Sequence, residues 1–158
     1  MKSRVELSNI SSIITITVLL ILVCGFFFTA DTDKFVIYSV IVIALLIFSL
    51  WYCPLTISAD EKNIYVLSPL RIHSIPMRRV VSVERFSPTM MCSIRLCASG
   101  GFLGYWGIFK EGDVGTYFGY YGKSTQCFLM KLDNGDKFVL GCKDTQAMVD
   151  YINSIISK

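Results

Sequence analysis

The sequence predicts an α+β membrane protein: two bilayer-spanning helices near the N-terminus, a small antiparallel β domain after Pro54, and one closing C-terminal helix. Three observations carry this prediction. Two charge-free apolar runs, Ile10 to Phe28 and Phe35 to Tyr52, flank the polar link Asp31-Thr32-Asp33-Lys34. After Pro54 the apolar residues alternate with polar ones in short stretches broken by turn signals, the period of half-buried strands. From Ala147 they recur instead at helical spacing.

Each apolar run approaches the ~20 residues needed to cross the hydrocarbon core of a bilayer. A buried soluble helix would show a polar face every turn. Here Thr15, Thr17 and Ser39 are isolated hydroxyls of the kind that bond back to their own helix backbone. Apolar residues make up 53% of the 158 and charged ones 17%, with the apolar excess concentrated before Pro54. That shift places a first transmembrane helix at 10–28, a link at 29–34, a second helix at 35–53 and the β domain at 54–158. A cleaved signal peptide would need a small-residue exit. Phe28-Thr29-Ala30 instead puts a bulky Phe in the first of those positions, and the apolar run exceeds the usual core of a signal sequence.

The link is long enough only to reverse the chain, so the helices form an antiparallel hairpin with both outer ends on one side. On that side lie Lys2 and Arg4, then Lys62, Arg71, Arg78 and Arg79, whereas the link holds two Asp and one Lys. Basic residues are retained in the cytoplasm, so residues 1–9 and the β domain are expected at the cytoplasmic face of the cell (inner) membrane, with the link outside. Trp51 and Tyr52 are expected as aromatic anchors at the interface. The six cysteines (Cys24, Cys53, Cys92, Cys97, Cys127 and Cys142) contain no close pair, and His73 is the single histidine. Neither a metal site nor a cofactor is expected from such spacings, and free thiols suit a reducing compartment.

Within the β domain, Leu55 to Ala59 and Ile64 to Leu67 read as a hairpin turned at Asp60-Glu61-Lys62-Asn63. Arg71 to Ile75, bracketed by Pro69 and Pro76, and Val80 to Phe86 follow as strands. Ser93 to Leu96 begins another. Eight glycines between Gly100 and Gly122 are interleaved with aromatics, the signature of a strongly coiled hairpin turned at Glu111-Gly112-Asp113. Cys127 to Leu132 and Lys137 to Leu140 flank Asn134-Gly135, the sharpest hairpin signal in the chain. Met148, Tyr151, Ile152, Ile155 and Ile156 line one face of a helix over 144–157, with Asp144 expected as its N-cap.

Two helices, about seven short strands and a closing helix resemble the bacterial pleckstrin-homology-like (PH-like) proteins that carry membrane helices ahead of the domain. The residues carrying the resemblance are Ile75-Pro76-Met77-Arg78-Arg79-Val80-Val81-Ser82-Val83, Leu103-Gly104-Tyr105-Trp106-Gly107-Ile108-Phe109 and the helix start Asp144-Thr145-Gln146-Ala147. The resemblance implies a bent antiparallel barrel or sandwich of two packed sheets plugged by a helix. It implies no particular activity.

Chemistry-bearing residues are sparse. Arg71, Arg78, Arg79, Arg85 and Arg95 are candidates for contact with anionic lipid or a partner, although acids such as Glu84 lie among them. In PH domains that hold phosphoinositides, the first hairpin loop is basic; Asp60-Glu61-Lys62 would repel such a headgroup. His73 has no nucleophile or carboxylate at a readable spacing, and no phosphate-binding glycine loop occurs, so an enzyme is not expected. A net charge of +3 is too small to point to nucleic acid. The expected partners are the bilayer and either another protein or a second copy of the chain; peripheral binding of anionic lipid or a small ligand is the alternative.

Overall fold

A computed structural model describes residues 1–30, 34–89, 94–112 and 114–157. Two long helices, α1 (Asn9–Thr29) and α2 (Phe35–Tyr52), occupy the apolar runs. Both are long and apolar enough to cross a membrane and leave most of their side chains uncovered. They pack against each other where Tyr38 of α2 lies over Gly25 of α1. A Cβ on Gly25 would sit 2.1 Å from the Tyr38 Oη, and that hydroxyl donates to the Leu22 carbonyl at 2.8 Å. Small residues allow such close approach between apolar helices.

The rest of the chain forms two sheets. The first contains β1 (Lys2–Arg4), β2 (Thr56–Ala59), β3 (Asn63–Leu67) and β4 (Ile72–Pro76) in that order, all antiparallel. The second contains β5 (Val80–Arg85), β6 (Ile94–Ala98), β7 (Tyr105–Glu111), β8 (Gly115–Tyr121), β9 (Cys127–Leu132) and β10 (Lys137–Gly141), in the order β5-β9-β10-β8-β7-β6. A 3₁₀ turn, Met77–Arg79, links the two sheets. The final helix, α3 (Thr145–Ile156), packs chiefly along β5. Ile57, Ile64, Val66 and Ile75 of the first sheet meet Val83, Phe128, Met130 and Leu140 of the second, and Met148 and Ile152 of α3 close this core.

This architecture corrects four expectations. Among the described residues nine strands follow Pro54 rather than about seven, and the sheets do not close into a barrel. The domain is not purely antiparallel. Residues 122–136, which include β9, carry the chain past the edge of β8, and β10 then returns parallel to β8, pairing Phe138 with Phe118 and Leu140 with Tyr120. Asp144 precedes α3, but its side chain caps nothing; its carboxylate instead accepts from the Ser3 hydroxyl at 3.0 Å. The expected turn at Glu111-Gly112-Asp113 and the start of a strand at Ser93 fall partly outside the described residues, as do Cys92 and most of the interhelical link.

The glycine-aromatic stretch forms a coiled hairpin. Gly107 and Gly119 face each other across β7 and β8, and Gly107 has a φ of +120° with the Cys97 carbonyl only 2.3 Å from where a Cβ would sit. The aromatics fold over this gap. Tyr105 stacks on Tyr121 at 5.2 Å and Phe109 on Tyr117 at 5.7 Å, which builds a second core with Leu129 and Val139 on the other face of the sheet.

Candidate binding cleft at the helix–domain junction

The β domain is joined to its helices by more than a covalent linker. Residues 2–4, for which sequence pattern gives no strand signal, form the edge strand β1. Beyond it, Val5 N–H donates to the Leu55 carbonyl and Ser8 N–H to the Gly122 carbonyl, both at 3.0 Å. Glu6 is bonded to Lys123 at 2.8 Å, which together with Gln126 holds its carboxyl below the ordinary glutamate value. The Ser8 hydroxyl then caps α1 by accepting from Ser11 N–H.

The next contact runs between α1 and the loop joining β6 to β7. Ser11 and Thr15, one turn apart, share a face of the helix and are buried. The Ser11 hydroxyl donates to the Gly101 carbonyl at 2.5 Å and accepts from Gly104 N–H at 3.2 Å. The Thr15 hydroxyl donates to the Ser11 carbonyl at 2.8 Å, the expected back-bond, and also accepts from Leu103 N–H at 2.9 Å. Leu103 has a φ of +54°, a left-handed conformation costing a leucine about 1–2 kcal/mol, so tertiary contacts must hold the turn in place.

This docked loop and the end of α2 enclose a cleft of about 560 Å³. One wall is a stripe on α2: Leu45, Phe48, Ser49 and Tyr52, at i, i+3, i+4 and i+7. The other is built from Cys97 and Ala98 of β6, Gly100 and Phe102 of the loop, and Trp106 and Ile108 of β7. Its base is aromatic. Trp106 stacks on Tyr52 at 5.5 Å with 13° between ring planes and meets Phe48 edge-on at 5.7 Å. Tyr52, expected with Trp51 as an interfacial aromatic anchor, packs on Trp106, whereas Trp51 is 43% exposed.

The polar groups around the cleft bond within the protein. The Trp106 indole N–H and the Ser99 hydroxyl both donate to the Phe102 carbonyl, at 3.2 and 2.9 Å, and the Ser49 hydroxyl donates to the Leu45 carbonyl at 2.7 Å. Thus the surface offered to a ligand is almost wholly apolar. Two cations lie against lining residues: the Arg71 guanidinium sits 5.9 Å from the centre of the Tyr52 ring, and that of Arg95 lies against Gly100, 2.7 Å from a Cβ position there. Neither forms an ion pair with a described residue.

Arg78, Arg79 and Arg85 do not join them. From Leu67↔Ile72 to Asn63↔Pro76 the first sheet runs a full strand length, roughly 13 Å, which puts Arg78 and Arg79 at the end far from the helices. Arg79 is engaged with Asp133 at 3.1 Å. Arg85 lies in the second sheet beside a separate cleft with Lys131 and Lys137. Of Arg71, Arg78, Arg79 and Arg85, only Arg71 reaches the junction.

His73 and Cys142 are held in their neutral forms. His73 packs between Tyr120 and Phe138, with ring centroids at 6.1 and 5.9 Å, and burial, aided by Arg71, lowers its pKa so that it is neutral near pH 7. The buried thiol of Cys142 is pushed up to about 11 by burial, the opposite of an activated nucleophile. Among the described residues no three His, Cys, Asp or Glu side chains converge as a metal site would require. Comparison with protein-family models, curated proteins and solved structures finds no match to this chain.

Proposed function

We propose that this chain is a multi-pass membrane protein whose two helices span the cell membrane as a hairpin, with residues 1–9 and 54–158 on the cytoplasmic side. Its β domain acts as a non-enzymatic, PH-like module that recruits protein, foremost a second copy of itself, at the membrane face. The cytoplasmic placement rests on the basic residues gathered at the outer helix ends and along the domain.

The observation that carries the interaction role is the edge at β6, which has no further strand beside it among the described residues. Of the four sheet edges, β5 is covered by α3, β1 presents the charges of Lys2 and Arg4, and β4 ends in Pro76, which has no N–H to donate. Among the described residues strand β6 pairs on one side only, and it exposes Ile94 at 62% and Leu96 at 58%. Unpaired backbone groups beside exposed apolar side chains favour strand addition.

Cys97 provides the test, because it is exposed on this strand. A short thiol-to-thiol crosslinker applied to membranes containing the full chain is expected to give a dimer that is lost in Cys97→Ser and reduced in Leu96→Lys. Wild-type protein that stays monomeric in lipid nanodiscs and captures neither itself nor another protein by crosslinking in its native membrane would overturn the reading.

A further inference from the structure

We infer that the cleft between α2 and the β6–β7 segment holds one acyl chain of an anionic phospholipid drawn from the surrounding bilayer. The inference rests on the membrane-spanning reading of the helices. Leu45 to Tyr52 are the last two turns of α2, so the cleft extends roughly 10 Å along the helix from its end. At that level a spanning helix passes from headgroups into hydrocarbon, and the cleft therefore opens onto acyl chains.

The chemistry fits that occupant. Its volume of about 560 Å³ lies within the roughly 300–1,000 Å³ typical of sites for small apolar ligands. Because Trp106, Ser99 and Ser49 spend their hydrogen bonds internally, nothing in the lining asks for a polar ligand. A site filled with water would leave its waters short of partners, whereas an alkyl chain needs none. Arg71 and Arg95 flank this apolar space through Tyr52 and Gly100, and at the headgroup level they favour a negatively charged lipid. The proposed ligand thus has an apolar chain in the cleft and an anionic headgroup beside the two guanidinium groups.

The chain's two tryptophans make the proposal measurable. Trp106 lines the cleft yet is only 8% exposed, whereas Trp51 projects from the same end of α2. The full-length protein is reconstituted into vesicles containing phosphatidylglycerol or phosphatidylcholine brominated along the acyl chains, each at the same fraction in an unbrominated background. Bromine quenches indole fluorescence at short range. In Trp51→Phe, where Trp106 is the remaining reporter, brominated phosphatidylglycerol is expected to quench strongly, with an occupancy preference of about thirtyfold over phosphatidylcholine for the two arginines together. Arg71→Gln with Arg95→Gln should abolish that preference, and the cleft-filling pair Cys97→Phe and Ile108→Phe should protect Trp106 from both lipids. In Trp106→Phe, Trp51 should be quenched equally by both. Quenching of Trp51 without Trp106 overturns the cleft as a lipid site, and equal quenching of Trp106 by the two lipids overturns the headgroup assignment. Quenching of neither tryptophan overturns the membrane-spanning reading and this proposal with it.

Discussion

Replacing Thr15 with Val tests whether the β domain is docked on its helices or merely follows them. Valine keeps the shape of threonine and loses only the hydroxyl, which in the native protein is the acceptor for Leu103 N–H at 2.9 Å. Without it that amide is left unpaired at a site shielded by α1, a loss of about 1–3 kcal/mol. Leu103 already holds a left-handed conformation, so the turn has little reason to persist once released. Amide hydrogen exchange reads the local opening free energy directly, and the stated range corresponds to acceleration at Leu103 of about 5- to 150-fold. Strands β9 and β10, remote from the change, should keep their protection. The control is Thr15→Ser, which retains the hydroxyl and should exchange like wild type. Equal exchange at Leu103 in wild type and Thr15→Val, or equal acceleration by Ser and Val, would show that the Thr15 hydroxyl does not hold the loop.

Three further expectations follow from individual contacts. Gly25→Leu drives a side chain into Tyr38 and should destabilise the helix hairpin by about 1–3 kcal/mol; thermal unfolding in detergent should show most of that recovered in Gly25→Leu with Tyr38→Ala, and no recovery would contradict the packing. Gly107→Ala places a Cβ against the Cys97 carbonyl at a φ of +120° and should cost about 2–6 kcal/mol, read as a lowered unfolding midpoint; an unchanged midpoint would contradict the close approach. His73 titrates below its ordinary value of 6.5 because burial disfavours the charged form and Arg71 repels it. The unfolded chain therefore takes up a proton near pH 6.5 when the folded one does not, and stability should fall as pH drops below that value. Glu6, held below 4.5 by Lys123 and Gln126, contributes only in a lower window. Melting curves between roughly pH 4.5 and 6.5 should accordingly lose their slope in His73→Phe, and a retained slope would contradict the assignment.

Local patterns in the sequence anticipated the elements well and their partners poorly. Both apolar helices, the hairpin at Asn134-Gly135 and the closing helix fall within a residue or two of their expected bounds, because each is determined by short-range periodicity and turn chemistry. The coiled glycine-aromatic hairpin was legible for the same reason: Gly107 opposite Gly119 leaves space that neighbouring rings must cover. The parallel pairing of β8 with β10 was not legible, since it depends on which side of the sheet the β9–β10 hairpin joins. Strand β1 is only three residues long and too short to show a period.

The candidate site was hidden in a comparable way. Thr15 stood out as a hydroxyl in an apolar run and does bond back to its helix, but nothing local revealed that it and Ser11 also receive a loop about ninety residues downstream. The stripe Leu45, Phe48, Ser49 and Tyr52 is indistinguishable in composition from the other sides of the same helix. Arginines were visible as residues, yet the strand register decides that Arg71 lies near the helices and Arg78 and Arg79 far from them.

The measurement that bears most directly on the whole account is accessibility labelling in intact cells. Single cysteines would be introduced into a cysteine-free full-length chain, one at Lys34 beside the interhelical link and one at Asn134 in the β9–β10 turn, and exposed to a membrane-impermeant thiol reagent. Labelling is expected at position 34 from outside and at position 134 only after the membrane is permeabilised. Labelling of position 134 in intact cells, with position 34 protected, would contradict the cytoplasmic placement of the domain.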